Sequence, residues 1–231
     1  MLFASVTNTG GVTCWLLLYL EANPAWKNRV QDEIDQFVRS QCSQAVHFPG
    51  DCVGVSIAEV PITTLEQETP TLDIVLQETL RLLLDGAFMR RNMGDELFVG
   101  KTRVKPGAFL MYHTGDLHLN PDIYPEPREF DPERWLPEAA EQRQLQHGLS
   151  FLGWGAARHV CVGKKAATLM IRMITVMVMA THKVTILDAS GNRLSKVPRS
   201  KNDRLFKVCR PSESVSMKYE RRNIFANSTN T

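Results

Sequence analysis

The chain has 231 residues, of which 43% are hydrophobic and 23% are charged, enough apolar content for one sizeable core. Its formal net charge of +2 gives no general attraction to nucleic acid, so no nucleic-acid partner is expected. The 5 cysteines form no Cys-x-x-Cys pair, which argues against a disulfide framework or a zinc cluster.

The first third of the chain has the apolar spacing of helices. Residues 2–22 form an apolar helix whose uninterrupted apolar stretch is too short to span a bilayer. An amphipathic helix follows over 24–40. Residues 41–64 show no clear period and are predicted as a loop. Another helix with an apolar stripe is predicted over 70–84.

The rest of the chain mixes short strands with irregular segments. Strands are predicted at 97–99, at 103–112 with a turn at Lys105-Pro106-Gly107, and within 183–219. A proline-dense irregular segment is predicted at 120–137, a glycine-rich loop at 151–163 and an apolar helix at 164–182. The fold class is therefore mainly α with small β-sheets (α+β), in one domain over residues 1–222. Residues 223–231 are predicted to be a disordered polar tail.

The glycine-rich loop 151–163 carries the densest chemical signal. Its small residues let the backbone approach a flat partner closely. Cys161 lies just ahead of the helix 164–182, where unpaired N–H groups and the helix dipole favour a thiolate. Basic residues add positive charge near it: Arg158, His159, Lys164 and Lys165. The alternative is a buried structural cysteine after a glycine turn.

This loop resembles the cysteine loop of the cytochromes P450, Phe-x-x-Gly-x-Arg-x-Cys-x-Gly. The resemblance implies a partial P450 fold from the distal helix to the C-terminus. It implies haem b (iron protoporphyrin IX) as cofactor, with Cys161 as the iron ligand. Two positions depart from the pattern: Ala157 replaces a glycine, and His159 replaces an arginine that contacts a haem propionate. The implied cofactor-binding residues are Trp154, Arg158, His159, Gly163 and Arg90.

Two further segments resemble the same family. Glu78 and Arg81, three residues apart on the helix 70–84, match its Glu-x-x-Arg motif, and Pro132–Trp135 matches its Pro-Glu-Arg-Phe segment. The resemblance implies a buried, hydrogen-bonded triad of Glu78, Arg81 and Arg134, with Arg134 between the other two, that holds the cysteine loop in place. Taken alone, such a helical pair is also common on solvated surfaces.

Arginine is also expected beside a haem propionate. Arg90 or Arg91 resembles the family's arginine at this place, and the sequence does not distinguish between them. The alternative for either residue is a solvated surface charge.

The segment Ala4-Ser5-Val6-Thr7-Asn8-Thr9 resembles the family's distal helix, Ala-Gly-x-Asp/Glu-Thr-Thr. The resemblance implies that Asn8 and Thr9 are catalytic and support proton delivery. Asn replaces Thr at position 8; it orders water but does not titrate. This variant resembles the sterol-hydroxylase and prostacyclin-synthase branch, which contains monooxygenases and an isomerase that needs no external electrons. The alternative is that Asn8 satisfies a helix carbonyl or a water.

The resemblance implies a monooxygenase that inserts oxygen into a lipophilic small molecule. An NADPH-dependent reductase would supply electrons and dock near Lys164 and Lys165. Intact family members are expected at the endoplasmic reticulum membrane, and the location of this chain is left open. The alternatives are an isomerase acting on a peroxide or an inactive fragment. Since the resemblance begins inside the distal helix, we expect that the chain neither folds stably nor turns over alone.

Overall fold

The computed structural model describes residues 2–42, 60–84, 86–200, 208–222 and 224. The α-helices within them are α1 (Leu2–Ala22), α2 (Pro24–Cys42), α3 (Ile62–Glu68), α4 (Pro70–Leu83), α5 (Thr114–His118), α6 (Pro137–His147) and α7 (Lys164–Thr181). The strands are β1 (Ala87–Arg91), β2 (Leu97–Val99), β3 (Thr102–Val104), β4 (Phe109–His113), β5 (His182–Leu187) and β6 (Ser216–Arg221). Single 3-10 turns lie at Pro132–Trp135 and Ala157–His159.

The predicted class, mainly α with small sheets, is confirmed, and so are the four long helices. The loop predicted over 41–64 is wrong at its C-terminal end, because Ile62–Glu68 is helical, whereas 43–59 lie outside the described residues. This short helix begins after Pro61 and buries Leu65. Burial against the rest of the protein stabilises a helix that is too short to persist by itself.

The core lies between α1, α2, α4 and α7, which pack against one another. Helix α1 is apolar around most of its circumference, so it occupies the centre, as all-round hydrophobicity requires. Its buried side chains include Val12, Trp15, Leu16, Leu17, Leu18 and Leu20. Helices α2, α4 and α7 each contribute one apolar stripe to the core. This arrangement fixes α4 and the start of α7, which position the candidate site.

The described strands pair into two-stranded antiparallel sheets: β1 with β4, β2 with β3, and β5 with β6. The strand predicted over 103–112 is divided into β3 and β4 at its predicted turn Lys105-Pro106-Gly107, where Gly107 has a φ of 79°. Strand β1 was not predicted; its pairing with β4, from Ala87 opposite His113 to Arg91 opposite Phe109, forms it. The sheets are small, and β5 adds Val184 and Ile186 to the helical core.

None of the described helices has both the length and the apolar content of a bilayer-crossing segment.

The tail predicted over 223–231 lies outside the described residues except at position 224. Ile224 is buried in the core, and its carbonyl accepts a hydrogen bond of 3.1 Å from Arg39. The last described residue therefore packs on the domain.

Candidate cofactor site

Cys161 is exposed and lies three residues before the start of α7. Its backbone N–H donates to the Trp154 carbonyl at 2.7 Å, and its own carbonyl accepts the Lys164 N–H at 3.1 Å. These two bonds fix the backbone on both sides of the thiol. A buried structural cysteine, the alternative raised from the sequence, is not what the structure contains.

The loop that leads to Cys161 turns tightly. Gly155 has a φ of 77°, and a Cβ there would lie 2.4 Å from the His159 carbonyl oxygen, so glycine is required. Ala157, at the position where the family motif has glycine, has a φ of 50°. An L-residue in this left-handed conformation costs about 1–2 kcal/mol. The departure from the motif therefore carries backbone strain.

The basic residues predicted to contact a haem propionate are exposed, some within the cysteine loop and others on β1. Arg158 and His159 are both exposed within it. Arg90 and Arg91 are exposed on β1, where consecutive side chains point to opposite faces. Arg90 donates to the Met89 carbonyl at 2.8 Å. The alternation means that only one of Arg90 and Arg91 faces a given ligand, and the choice of Arg90 stays a prediction.

Glu78 and Arg81 form a fully buried ion pair on α4. Two guanidinium N–H groups of Arg81 donate to the Glu78 carboxylate at 2.8 Å and 2.7 Å. The other contacts of Arg81 are donations to the carbonyls of His118, Pro127 and Glu129, at 2.6, 2.7 and 3.3 Å. A guanidinium carries five N–H donors, so every one of them has an acceptor.

The carboxylate of Glu78 has further partners in the segment that follows Asp131. It accepts the Trp135 indole N–H at 2.9 Å and the Asp131 backbone N–H at 3.1 Å. Arg134 lies nearby, with its Nε 3.6 Å from the carboxylate, as an ion contact without a hydrogen bond. The three predicted residues are thus together, but Trp135 makes the hydrogen bond that was expected from Arg134.

A second buried group, His118, joins this network to the cysteine loop. Its Nε2 accepts the Leu152 backbone N–H at 3.0 Å, and its Nδ1 lies 3.3 Å from the Leu84 carbonyl. The ring stacks on Phe151 at 5.4 Å between centroids. Burial lowers the pKa of His118 to about 4, so the ring is neutral at pH 7.

The sequence reasoning missed His118 and Trp135 as site residues. For Trp135, a signal was available: indole at a position where the motif has phenylalanine adds an N–H donor. For His118, which lies outside the matched motifs, no pattern indicated burial.

The predicted catalytic residues lie on the N-terminal half of α1. Asn8 is half-buried, and its side-chain oxygen accepts the Val208 backbone N–H at 3.3 Å. Thr9 is buried, and its carbonyl accepts the Thr13 hydroxyl at 2.9 Å. The side-chain oxygen of Asn8 therefore accepts backbone from the distant end of the chain.

A groove of about 780 Å³ runs along one side of α1. Thr7, Gly11 and Cys14 line it from the helix, and Val208 and Met217 from the C-terminal segment. Trp15 and Leu18 also line it from α1, whereas Asn8 is not among its lining residues.

The P450 motifs predict a cysteine just before a long helix and a buried Glu-Arg pair on another helix. The structure contains both, in Cys161 and in Glu78 with Arg81. A sequence model of the cytochrome P450 family matches residues 1–209, and the chain belongs to this family. The family implies a haem cofactor.

Curated relatives agree with this membership, and a solved structure shares the fold. Cytochrome P450 monooxygenase dmxR5 of Cryptosporiopsis sp. (strain 8999) is 29% identical over 82% of this chain and 35% of that protein. Cytochrome P450 monooxygenase MYCFIDRAFT_204672 of Pseudocercospora fijiensis (strain CIRAD86) is 30% identical over 83% of this chain and 38% of that protein. The crystal structure of the cytochrome P450DA heme domain matches 94% of this chain and 41% of that chain, with a TM-score of 0.70 and 18% identity.

The chain thus spans 35% and 38% of the lengths of these two curated relatives.

Proposed function

We propose that this chain supplies the haem-binding part of a monooxygenase that inserts oxygen from dioxygen into a lipophilic small molecule. The observation that carries the proposal is the exposed thiol of Cys161, fixed by backbone hydrogen bonds at the start of α7. The names of the relatives, cytochrome P450 monooxygenases, support the reaction class.

The residues present fit haem b. The Cys161 thiol is accessible to an iron atom, and the tight turn at Gly155 keeps the loop backbone compact beside it. Cys161 lies just ahead of the first turn of α7, whose N–H groups point toward this end of the helix. Arg158 and His159 are exposed donors for carboxylates such as propionates. When bound, haem with a cysteine thiolate supplies dioxygen activation and O–O cleavage.

We assign to Asn8 and Thr9 the ordering of water for proton delivery. The Asn8 oxygen accepts the Val208 N–H, and its amide group offers further donors to a water. Neither side chain titrates near neutral pH, so their contribution is to hold water rather than to supply a proton.

Electrons would come from an NADPH-dependent reductase. Lys164 and Lys165 are exposed in the first turn of α7, close in sequence to Cys161. Exposed lysines attract an acidic partner surface and raise its association rate. We place the reductase contact on this face.

The carbon monoxide adduct of the haem-loaded, reduced protein tests the ligand directly. A thiolate ligand gives a red-shifted Soret band, which we expect for the wild type. Cys161→Ala should lose this band, whereas the matched control Cys14→Ala, an exposed cysteine on α1, should keep it. A wild type with a histidine-type band, or a Cys161→Ala variant that retains the red-shifted band, would overturn the proposal.

A second candidate is an isomerase that acts on a peroxide without external electrons. The absence of a titrating side chain at positions 7, 8 and 9 favours it. Turnover separates the two functions. A monooxygenase consumes NADPH with a reductase and gives a hydroxylated product, whereas an isomerase converts a lipid hydroperoxide or endoperoxide with no reductase present.

A further inference from the structure

The buried histidine His118 lies where the end of α4 meets the cysteine loop. Leu152 donates its backbone N–H to Nε2 of the ring at 3.0 Å, and the Leu84 carbonyl lies 3.3 Å from Nδ1. Because Nε2 accepts a hydrogen bond, the proton of the neutral ring is on Nδ1, which then donates to Leu84. One tautomer therefore serves both partners.

A series of hydrogen bonds runs from His118 to Cys161. Leu152, held by His118, accepts the Gly155 N–H through its carbonyl at 2.9 Å. Trp154, between these two residues, accepts the Cys161 N–H at 2.7 Å. The position of the cysteine backbone thus depends on a turn whose first residue is anchored by the His118 ring.

The other side of His118 is held by the buried ion pair. Its backbone carbonyl accepts an Arg81 N–H at 2.6 Å. Its ring stacks on Phe151, and Phe151 packs edge-on against Trp135, with 4.8 Å between centroids. Trp135 in turn donates to Glu78. Two series of contacts therefore connect the ion pair to the start of the cysteine loop. One runs from Arg81 through His118 to Leu152, and the other runs from Glu78 through Trp135 to Phe151.

We propose that His118 is a positioning residue that fixes the start of the cysteine loop through Leu152 and so places the Cys161 sulfur for the iron. This proposal rests on the function proposed above. The residue acts through the loop and touches neither substrate nor cofactor.

Two variants separate the hydrogen bond from the packing. His118→Phe keeps a ring against Phe151 but removes the acceptor, so the Leu152 N–H is left buried without a partner. His118→Gln places an amide oxygen near the position of Nε2 and should restore the bond. Amide hydrogen exchange at Leu152 and at Cys161 measures the anchoring without reference to activity. The ratio of thiolate to non-thiolate carbon monoxide bands measures the placement of the sulfur.

We expect His118→Phe to speed exchange at both amides by about tenfold or more and to lower the thiolate fraction, and His118→Gln to restore both values. Unchanged Leu152 exchange in His118→Phe would overturn the proposal. Faster exchange with an unchanged thiolate fraction would also overturn it, because the bond would then not position the sulfur. If His118→Phe yields no folded protein, His118→Asn, which keeps a partner for Leu84 but no acceptor at Nε2, is expected to show the same losses.

Failure of the proposed function is distinguishable from failure of this inference. A wild type without a thiolate band removes the ligand assignment. In that case the two exchange rates still decide whether His118 fixes the loop: an accelerated Cys161 amide in His118→Phe supports the inference, and an unchanged one contradicts it.

Discussion

The network around Glu78 and Arg81 and the loop around Cys161 differ in the solvent exposure of their polar groups. In the network, the carboxylate and the guanidinium are fully buried, and all five N–H groups of Arg81 have acceptors inside the protein. In the loop, Arg158, His159 and the thiol are exposed, so they remain available to an external group. The first region therefore stabilises the fold, whereas we propose that the second binds the cofactor. His118 hydrogen-bonds to both regions, through its carbonyl to Arg81 and through its ring to Leu152.

The largest expected effect comes from removing one member of the buried pair. Arg81→Met leaves the Glu78 carboxylate buried without its cation, which costs about 3–5 kcal/mol of unfolding free energy. Urea unfolding measures this loss. The matched control is Arg103→Met, which breaks the largely exposed pair with Glu96 and should cost less than about 1 kcal/mol. Equal losses in the two variants would contradict the division between the regions.

The second effect is a pH dependence from His118. Burial, the largest cause, and the nearby Arg81 charge lower the pKa of His118 from 6.5 to about 4. The other charged group of this network is Glu78, the ion-pair partner of Arg81. Between these values the unfolded chain binds more protons than the native protein, so stability is complete above pH 6.5 and falls as the pH drops toward 4. A shift of this size corresponds to an upper bound of roughly 3 kcal/mol.

Unfolding free energies of the wild type and His118→Gln from pH 7.5 down to about 4 measure this contribution. The wild type should lose stability more steeply than the variant. Parallel curves for the two proteins would show that His118 is not held neutral.

A smaller loss is expected from Trp135→Phe. The change keeps a ring against Phe151 but removes the indole N–H that donates to Glu78 at 2.9 Å. A hydrogen bond to a charged group is worth roughly 1.5–3 kcal/mol, and the Asp131 N–H remains in place, so we expect about 1.5 kcal/mol. Thermal unfolding measures it. No loss would mean that Arg134 moves in to replace the missing donor.

The smallest effect should be a gain, in the cysteine loop. Ala157→Gly relieves the left-handed backbone at a φ of 50°, which outweighs the greater unfolded-state entropy of glycine by about 0.5–1 kcal/mol. The neighbouring Ala156→Gly, at a φ of −147°, has no such strain to relieve and should lower the Tm. A lower Tm for Ala157→Gly would show that the loop prefers another conformation.

Local sequence patterns predicted the long helices, whereas several short elements depend on tertiary contacts that such patterns do not contain. The long helices follow from apolar periodicity, and the class from their number and length. Helices α3, α5 and α6 and strand β1 were not predicted. Helix α3 depends on burying Leu65 and β1 on pairing with β4, whereas α6 buries none of its side chains. Short elements draw their stability from partners that a local pattern does not include.

The candidate site divides in the same way. Cys161, Glu78 and Arg81 were found because they belong to spaced motifs. The hydrogen bonds of Trp135 and His118 join residues 57 and 34 positions apart, and the partner of Asn8 is 200 positions away. Such contacts depend on how the helices pack, and the spacing of residue types does not encode them.

Identifying the atoms bonded to the iron tests most directly the claim that Cys161 is its ligand. X-ray absorption at the iron edge of the haem-loaded protein should show one sulfur atom in the first coordination shell, in addition to the porphyrin nitrogens. In Cys161→Ala that sulfur should disappear, and in Cys14→Ala it should remain. A wild-type shell made only of nitrogen and oxygen atoms would contradict the account.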